Sequence, residues 1–183
     1  KSDVCIRTLN GHSGTVISVS WSPNGKYLTS SSDDNTVGLW NLYEEKKYSK
    51  WKNMPPNIYS SELSPDGKYL ARGLLNNTVI IVDAKSGEKL KTLEVDSYGE
   101  SSISWSPDGK YIIILSEDRI IYAWDAKSGM CLQTFEGHYE LVSLLGFASD
   151  GRKIVAEYFD DIILSWDFPP LDELIEKTKK WAG

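Results

Sequence analysis

Histidine and cysteine are the side chains that most often bind zinc, and the 183-residue chain contains only two of each. They form two pairs with the same spacing, Cys5 with His12 and Cys131 with His138. The pairs lie 126 residues apart, whereas the ligand pairs of a zinc site are usually much closer in sequence. The equal spacing therefore indicates a sequence repeat rather than a metal centre, and we expect no metal site.

Adjacent carboxylates are the second set of residues that could do chemistry, since paired acids can act as acid and base or bind calcium. Two such pairs occur, Asp33-Asp34 and Asp160-Asp161, and both fall on the same turn of the repeats described below. That placement favours a structural role. The chain has neither a Gly-x-x-x-x-Gly-Lys-Ser/Thr phosphate loop nor a Gly-x-Ser-x-Gly nucleophile elbow. We expect no catalytic residue, no cofactor and no enzyme activity.

The charge balance argues against nucleic acid and membrane partners. Acidic residues outnumber basic ones by 26 to 20, a net charge of −6, whereas a phosphate-binding protein needs a basic face. One basic and aromatic run occurs, which on an outer strand is typical of a solvated face: Lys46, Lys47, Tyr48, Lys50, Trp51 and Lys52. There is no run of 18 apolar residues, and only two cysteines, so we expect a cytoplasmic protein.

The elements that position these residues follow from an internal repeat. The turn Ser22-Pro23-Asn24-Gly25 recurs at residues 64–67 and 106–109 and, in altered form, at 148–151. A second marker, Trp40-Asn41, has counterparts at residues 82–83, 124–125 and 166–167. Both markers are spaced by 42 residues, so the sequence predicts four repeats over residues 1–168 and a separate tail over residues 169–183.

Each repeat has the pattern of short strands joined by turns, with no helical period before residue 169. In the first repeat we predict strands at residues 16–21, 26–31 and 36–40, and a fourth strand is clearest at residues 89–93 and 131–135. Four antiparallel strands in one such repeat are typical of a propeller blade. The predicted fold class is all-β, a propeller of four-stranded antiparallel blades with a short C-terminal helix.

Residues 1–168 resemble the WD-repeat family. The first repeat carries the most complete motif set: Gly11-His12, the Ser-Pro-Asn-Gly turn, residues 32–36 and Trp40-Asn41. In that family a histidine, a hydroxyl, an aspartate and a tryptophan form a hydrogen-bonded tetrad within a blade. The resemblance implies that the tetrad here is His12, Ser30, Asp34 and Trp40. Its role is structural, because a buried indole N–H and a buried imidazole each need a partner.

The later repeats depart from this tetrad. The fourth retains His138, Asp160 and Trp166 but has Ala156 in place of the hydroxyl. The third retains Asp118 and Trp124. The second retains none of the four and has Met54, Arg72, Asn76 and Val82 in their places. We therefore expect the second blade to be the least stable.

The register of the repeats predicts how the array closes. Residues 4–9 align with the fourth strand at residues 130–135, and the repeats end after a third strand. The resemblance implies that residues 4–9 complete the last blade, which removes exposed sheet edges. Family members usually have seven or eight blades, however. The alternatives are a second copy of the chain that completes an eight-bladed ring, missing upstream blades, or a closed four-bladed ring.

The tail, residues 169–183, predicts one amphipathic helix. A proline pair stands at its entrance, acids occupy the first turn and lysines the last, and apolar residues recur at positions 171, 174, 175 and 181. This tail resembles the segment after the last repeat in bacterial signal-transduction ATPases with carboxy-terminal WD repeats. That resemblance implies the sensor end of a longer regulatory protein.

The family resemblance implies a non-catalytic scaffold that binds a protein partner through loops at one end of the blades. The apolar members from the fourth repeat suit a binding hot spot, or packing against a neighbouring blade or the tail. The alternative function is a structural oligomerisation module that completes a propeller with a second chain. The side chains predicted on the binding face are Ser13, Thr15, Asp33, Asn57, Leu75, Tyr98, Glu117, Tyr139, Leu141 and Phe159.

Overall fold

The computed structural model describes residues 5, 7–22, 25–43, 48–51, 58–74, 78–95, 102–140, 142–169 and 173. Within them the chain forms four antiparallel sheets, here called blades 1 to 4, in which each strand pairs with the next one along the chain. Blades 1 and 2 comprise β1 (Val16–Trp21), β2 (Tyr27–Ser32), β3 (Thr36–Asn41), β4 (Tyr48–Trp51), β5 (Ile58–Leu63), β6 (Tyr69–Leu74), β7 (Thr78–Asp83) and β8 (Lys89–Glu94). Blades 3 and 4 comprise β9 (Ser102–Trp105), β10 (Tyr111–Leu115), β11 (Ile120–Asp125), β12 (Cys131–Glu136), β13 (Val142–Phe147), β14 (Lys153–Tyr158) and β15 (Ile163–Asp167).

The described residues therefore have the predicted all-β fold, and their up-and-down sheets are consistent with propeller blades. The basic and aromatic run contributes Tyr48, Lys50 and Trp51 to β4, the outer strand of blade 1. Its other members, Lys46, Lys47 and Lys52, lie outside the described residues.

The turn that joins the first two strands of a blade is built by its own side chains. In blade 2 the Gly67 N–H donates to the Ser64 carbonyl at 2.8 Å, and Gly67 has a φ of +73°, which suits glycine. The Ser64 hydroxyl donates to Asp66 at 2.7 Å and accepts from the Tyr69 N–H at 2.9 Å. Blade 3 repeats these bonds in its own turn. Turn chemistry that the sequence shows locally thus sets the hairpin register.

Neighbouring blades pack face to face. Their first strands contact one another in the order β1, β5, β9 and β13. An apolar cluster lies between blades 2 and 3, with Ala71, Ile81 and Trp105 among its members, and another between blades 3 and 4. The cluster between blades 1 and 2 is smaller, and polar side chains are buried beside it, including Ser31 and Ser61, whose hydroxyl oxygens are 2.7 Å apart.

The fourth blade differs from the prediction. The described structure gives it three strands, and the described residues of the segment expected to complete it, 5 and 7–9, form no strand. The Arg7 guanidinium instead donates to the Leu42 carbonyl at 2.8 Å, which holds this segment beside the end of β3 in blade 1. The prediction that residues 4–9 pair with β15 is therefore wrong for the residues described. The predicted C-terminal helix lies outside them, apart from Glu173.

Blade 1 has an uncovered apolar face. Val19 and Trp21 on β1 are 60% and 59% exposed. The residues 84 positions later, Ile103 and Trp105, have 9% and 5% exposure, because a preceding blade packs over them. β1 thus carries side chains of the type that the other blades bury between sheets.

Candidate functional site

His12 lies at the centre of a hydrogen-bonded group within blade 1. Its Nε2 is 2.7 Å from the Ser30 Oγ, and the same oxygen accepts a bond of 2.8 Å from the Trp40 indole N–H. Its Nδ1 is 3.3 Å from Asp34 Oδ2 and 3.1 Å from Thr36 Oγ1. The structure therefore brings together the four residues that the resemblance implied, and it adds Thr36, which the sequence analysis missed.

Asp34 connects this buried group to the loop before β1. Its carboxylate accepts the backbone N–H of Ser13 at 2.8 Å and that of Thr36 at 3.0 Å. The loop approaches so closely that a Cβ on Gly14 would stand 1.9 Å from the Asp33 carboxylate. A side chain at position 14 would push this carboxylate aside, so glycine lets the two loops meet. The tetrad thus fixes the position of loops that carry predicted partner-binding residues.

Blade 4 forms part of the same arrangement. His138 Nε2 is 2.9 Å from Asp160 Oδ2, but Ala156 supplies no hydroxyl between the histidine and Trp166. Trp166 packs instead against the apolar cluster shared with blade 3. The Tyr158 hydroxyl, which the sequence analysis did not single out, accepts the His138 backbone N–H at 3.0 Å. A buried tyrosine thus helps to hold the His138 loop.

Blade 3 leaves its tryptophan without an acceptor. Trp124 is 8% exposed, and its indole N–H has no partner among the residues that the structure describes. Asp118 instead accepts from the Tyr122 hydroxyl at 2.9 Å. A buried indole N–H without an acceptor reduces stability, so burial rather than hydrogen bonding holds Trp124 in place.

Blade 2 contains a buried charge where blade 1 has Ser30. Arg72 is fully buried, and its guanidinium nitrogens have no hydrogen-bond partner within the described part of the chain. Burial lowers the pKa of Arg72 to about 10. A buried cation without a partner is costly. The expectation that blade 2 is the least stable stays a prediction. Met54 and Asn76, at two other tetrad positions of this blade, lie outside the described residues.

The loops before the first strands and the turns between the second and third strands lie at one end of the blades, because successive strands are antiparallel. We call this end the loop face. Six predicted partner-binding residues are described there and all are exposed: Ser13, Thr15, Asp33, Glu117, Tyr139 and Phe159. The other four lie outside the described residues: Asn57, Leu75, Tyr98 and Leu141.

Two aromatic side chains project from the loop face of blade 4. Tyr139 is 62% exposed and Phe159 is 70% exposed. The Tyr139 ring lies edge-on to His138, with 4.0 Å between ring centroids, and His138 in turn lies edge-on to buried Tyr158. The contact with His138 therefore holds the Tyr139 ring in place, while most of the ring surface remains exposed to solvent. Within the described structure neither ring packs into a neighbouring blade. The other alternative, packing against the tail, concerns residues outside the described part of the chain.

The loop face is mainly acidic. Asp33 and Glu117 are exposed there, as are Glu140 and Asp161 beside the two aromatic residues. Arg119 is an exposed basic residue on the same end. Such a face attracts basic groups and repels phosphate.

Glu62 is the carboxyl group whose pKa is raised among the described residues. It lies in β5, and burial raises its pKa from 4.5 to about 7, although hydrogen bonds from the Trp105 N–H and the Ser104 side chain oppose the shift. The Trp105 N–H donates to Glu62 Oε2 at 3.0 Å, and the Trp105 indole donates to the Glu62 carbonyl at 3.0 Å. These bonds join the first strands of blades 2 and 3. Because Glu62 and Arg72 point to opposite faces of blade 2, they form no shared site.

Among the residues described, no three His, Cys, Asp or Glu side chains converge as a metal site would require. The described part of the chain contains no helix long and apolar enough to cross a membrane.

The family described as "WD domain, G-beta repeat" matches residues 3–41 and 87–125. These segments end at the Trp-Asn and Trp-Asp markers of the first and third repeats. The chain therefore contains a WD-repeat segment.

Three relatives each match a short stretch of the chain. A Notchless protein homolog from Arabidopsis thaliana is 54% identical over 41 residues, 22% of this chain and 9% of that protein. A protein HIRA homolog from Drosophila melanogaster is 56% identical over 36 residues, 20% of this chain and 3% of that protein. A guanine nucleotide-binding protein subunit beta from Oryza sativa subsp. indica is 43% identical over 44 residues, 24% of this chain and 12% of that subunit. The chain thus matches a small fraction of the length of each relative.

Replacing Trp40 with alanine is expected to lower the free energy of unfolding by about 3–5 kcal/mol, against about 1–3 kcal/mol for Val82→Ala at the equivalent position of blade 2. Trp40 has both the larger buried surface and the bond to Ser30. Trp40→Phe keeps an aromatic side chain but removes both the N–H donor and part of the indole ring. The lost hydrogen bond should cost about 0.5–1.5 kcal/mol in addition to the effect of the smaller ring. Urea unfolding followed by circular dichroism measures all three. Equal shifts for Trp40→Ala and Val82→Ala would contradict the tetrad's role.

Stability should fall as pH rises from about 4.5 to about 7, because folded chains keep a proton on Glu62 that unfolded chains release. The slope from this group is at most about 1.4 kcal/mol per pH unit, and it levels off above the folded-state pKa. Glu62→Gln should remove this component, whereas Glu94→Gln, at an exposed position of β8, should leave it unchanged. Urea unfolding at pH 5, 6 and 7 tests this. A wild-type pH profile in Glu62→Gln would show that another group is responsible.

Proposed function

We propose that this chain is a non-catalytic protein-interaction scaffold built of WD-type blades over residues 1–168, and that it binds its partner through the loop face. The observation that carries the proposal is the exposed aromatic pair of blade 4, Tyr139 and Phe159. Exposed aromatic side chains on loops held by a rigid sheet are typical of binding hot spots. The WD-repeat segments at residues 3–41 and 87–125 support the scaffold role.

The charge of the loop face specifies the kind of partner. Exposed Glu140 and Asp161 lie within two residues of the aromatic pair in the sequence, so a partner surface with lysine or arginine around an apolar patch fits best. The same acidic groups disfavour nucleic acid and anionic membrane surfaces. Among the described residues, Glu62 and Arg72 are the two groups with large pKa shifts. They lie on opposite faces of one sheet, which supports a role without catalysis.

We also propose that this scaffold is the sensor or partner-binding end of a larger signalling protein in the cytoplasm. Support comes from the resemblance of residues 169–183 to the tails of bacterial WD-repeat ATPases. In this setting the tail is an amphipathic helix that packs on the blades.

Replacing both Tyr139 and Phe159 with alanine should reduce the amount of captured partner at least tenfold. It should not lower the stability of the protein, since both rings are largely exposed. The control is Tyr43→Ala, because Tyr43 is 77% exposed but follows β3 at the opposite end of blade 1. Quantitative affinity capture with wild type and both variants, read by mass spectrometry, identifies proteins lost only with the loop-face variant. If every captured protein is retained by that variant, the loop face is not the binding site.

A second candidate function is an oligomerisation module that completes a propeller with another copy. It is favoured by the exposed Val19 and Trp21 on β1 and by β15, which has one strand partner in the described structure. Unpaired edges and apolar sheet faces of this kind are usually covered.

Purified protein should then have twice the mass of one chain in light scattering, and high salt should not dissociate it because the contact is apolar. Trp21→Ser together with Val19→Asp should give monomers. Val19 and Trp21 are exposed in the single chain, so these changes should spare its fold. A wild-type monomer that unfolds cooperatively would refute the oligomerisation role and leave the interaction scaffold as the function.

A further inference from the structure

The first residue after the third strand occupies the same place in all four blades. Its backbone N–H donates to the carbonyl of a basic residue in the preceding hairpin of its own blade, at 2.7–3.1 Å. The bonds run from Leu42 to Lys26, from Ala84 to Lys68, from Ala126 to Lys110 and from Phe168 to Arg152. Because the same bond anchors each backbone, the four side chains start from equivalent points. Ala84 and Ala126 are small whereas Phe168 is large, so the spaces between blades are filled to different extents.

Between blades 3 and 4, Phe168 occupies this position. Its ring is 1% exposed and packs edge-on to Tyr111 and to Phe147, with ring centroids 5.0 and 5.5 Å apart. Tyr111 is consequently only 6% exposed. The cleft of about 610 Å³ that remains beside Phe168 is lined mainly by polar turn residues, among them Asp108, Asp150 and Arg152.

Between blades 2 and 3 the equivalent residue is Ala126, and the space is open. A cleft of about 640 Å³ lies there, with Ala126, Tyr69, Leu90 and Trp105 in its wall. Tyr69, the counterpart of Tyr111, is 38% exposed, and Leu90 is 48% exposed. Between blades 3 and 4 the equivalent tyrosine contacts the Phe168 ring. The cleft between blades 2 and 3 has the tyrosine but no such ring. We call it the Ala126 cleft.

The rim of the Ala126 cleft is basic although the chain as a whole has a charge of −6. Lys91, Lys110 and Lys127 line it, together with Asp125. The Lys110 ammonium lies 3.3 Å from the exposed Asp108 carboxylate, and the Lys91 ammonium donates to the Lys127 carbonyl. Three lysines thus stand against two carboxylates. The Asp125 carboxylate already accepts the Ser128 backbone N–H. The rim thus offers positive charge around an apolar floor, which complements a ligand with an apolar centre and negative flanks.

We propose that the Ala126 cleft binds an acidic peptide segment through one aromatic side chain. The ring occupies, between blades 2 and 3, the position equivalent to that of Phe168 between blades 3 and 4. The flanking carboxylates pair with Lys91, Lys110 and Lys127. The cleft lies at the end of the blades opposite the loop face, since it is formed by first hairpins and by residues after third strands. This site is therefore independent of the proposed partner face.

Fluorescence polarisation with a labelled Glu-Asp-Phe-Asp-Glu peptide tests the proposal on the full chain. Two matched peptides carry alanine in place of phenylalanine, or lysine in place of every acid. Wild-type protein should bind the first peptide, and both matched peptides should bind at least tenfold more weakly. Raising the salt concentration should weaken binding, because the flanking contacts are between exposed charges. No binding of the first peptide, or equal binding of all three, would overturn the proposal.

Substitutions locate the site. Ala126→Phe should abolish peptide binding by filling the cleft, with a melting temperature equal to or above that of wild type. Lys127→Glu should weaken binding at least threefold, whereas Lys68→Glu, the counterpart of Lys110 in blade 2, should not change it. If Ala126→Phe does not fold, Leu90→Glu tests the same site, because Leu90 is half exposed on the cleft wall.

Wild-type affinity in a folded Ala126→Phe or Leu90→Glu variant would show that the peptide binds elsewhere. The loop-face variant should bind the peptide normally, so the two sites can fail separately.

Discussion

The structure depends on the need of each small antiparallel sheet to cover both of its faces. A blade of three or four short strands has little interior of its own, so its stability comes from apolar side chains buried against the next blade. The clusters around Ile81 and Trp105 and around Phe135 and Ile154 meet this need for the middle of the array. The interface between blades 1 and 2 meets it less well, because Arg72 is buried there without a described partner.

At the two ends of the array the sheets are not fully covered. Trp21 is exposed on β1 because the described structure places no sheet over it, whereas Trp105, two repeats later, is buried. At the other end β15 has a partner on one side. Blade 1 thus has an exposed apolar face and blade 4 an unpaired strand edge, as surfaces that bind another sheet do. Covering them by assembly would therefore also stabilise the array. The loop face, by contrast, owes its order to hydrogen bonds within blades, such as those of His12 and Asp34.

The two ends of the blades differ in charge and in how they are built. Acidic residues and two exposed aromatic rings mark the loop face, while lysines surround the Ala126 cleft at the opposite end. Separating the charges in this way lets one rigid array present two surfaces with different preferences. The propeller-like packing beneath both surfaces can then remain the same while the loops and the residues after third strands vary.

The sequence by itself determined the features that depend on neighbours within one repeat. The 42-residue period, the alternating strands and the Ser-Pro-Asp-Gly turns predicted the sheets, since these patterns act over a few residues. Tertiary structure decided what depends on distant residues. Arg7 donates a hydrogen bond to the Leu42 carbonyl, and the described residues around it do not pair with β15. Thr36 contacts His12, and Tyr158 bonds to the backbone of His138; the spacing of residues in the sequence predicted neither contact. In the Ala126 cleft a small side chain of blade 3 and Tyr69 of blade 2 line the same space, and such a juxtaposition becomes visible only when sheets pack together.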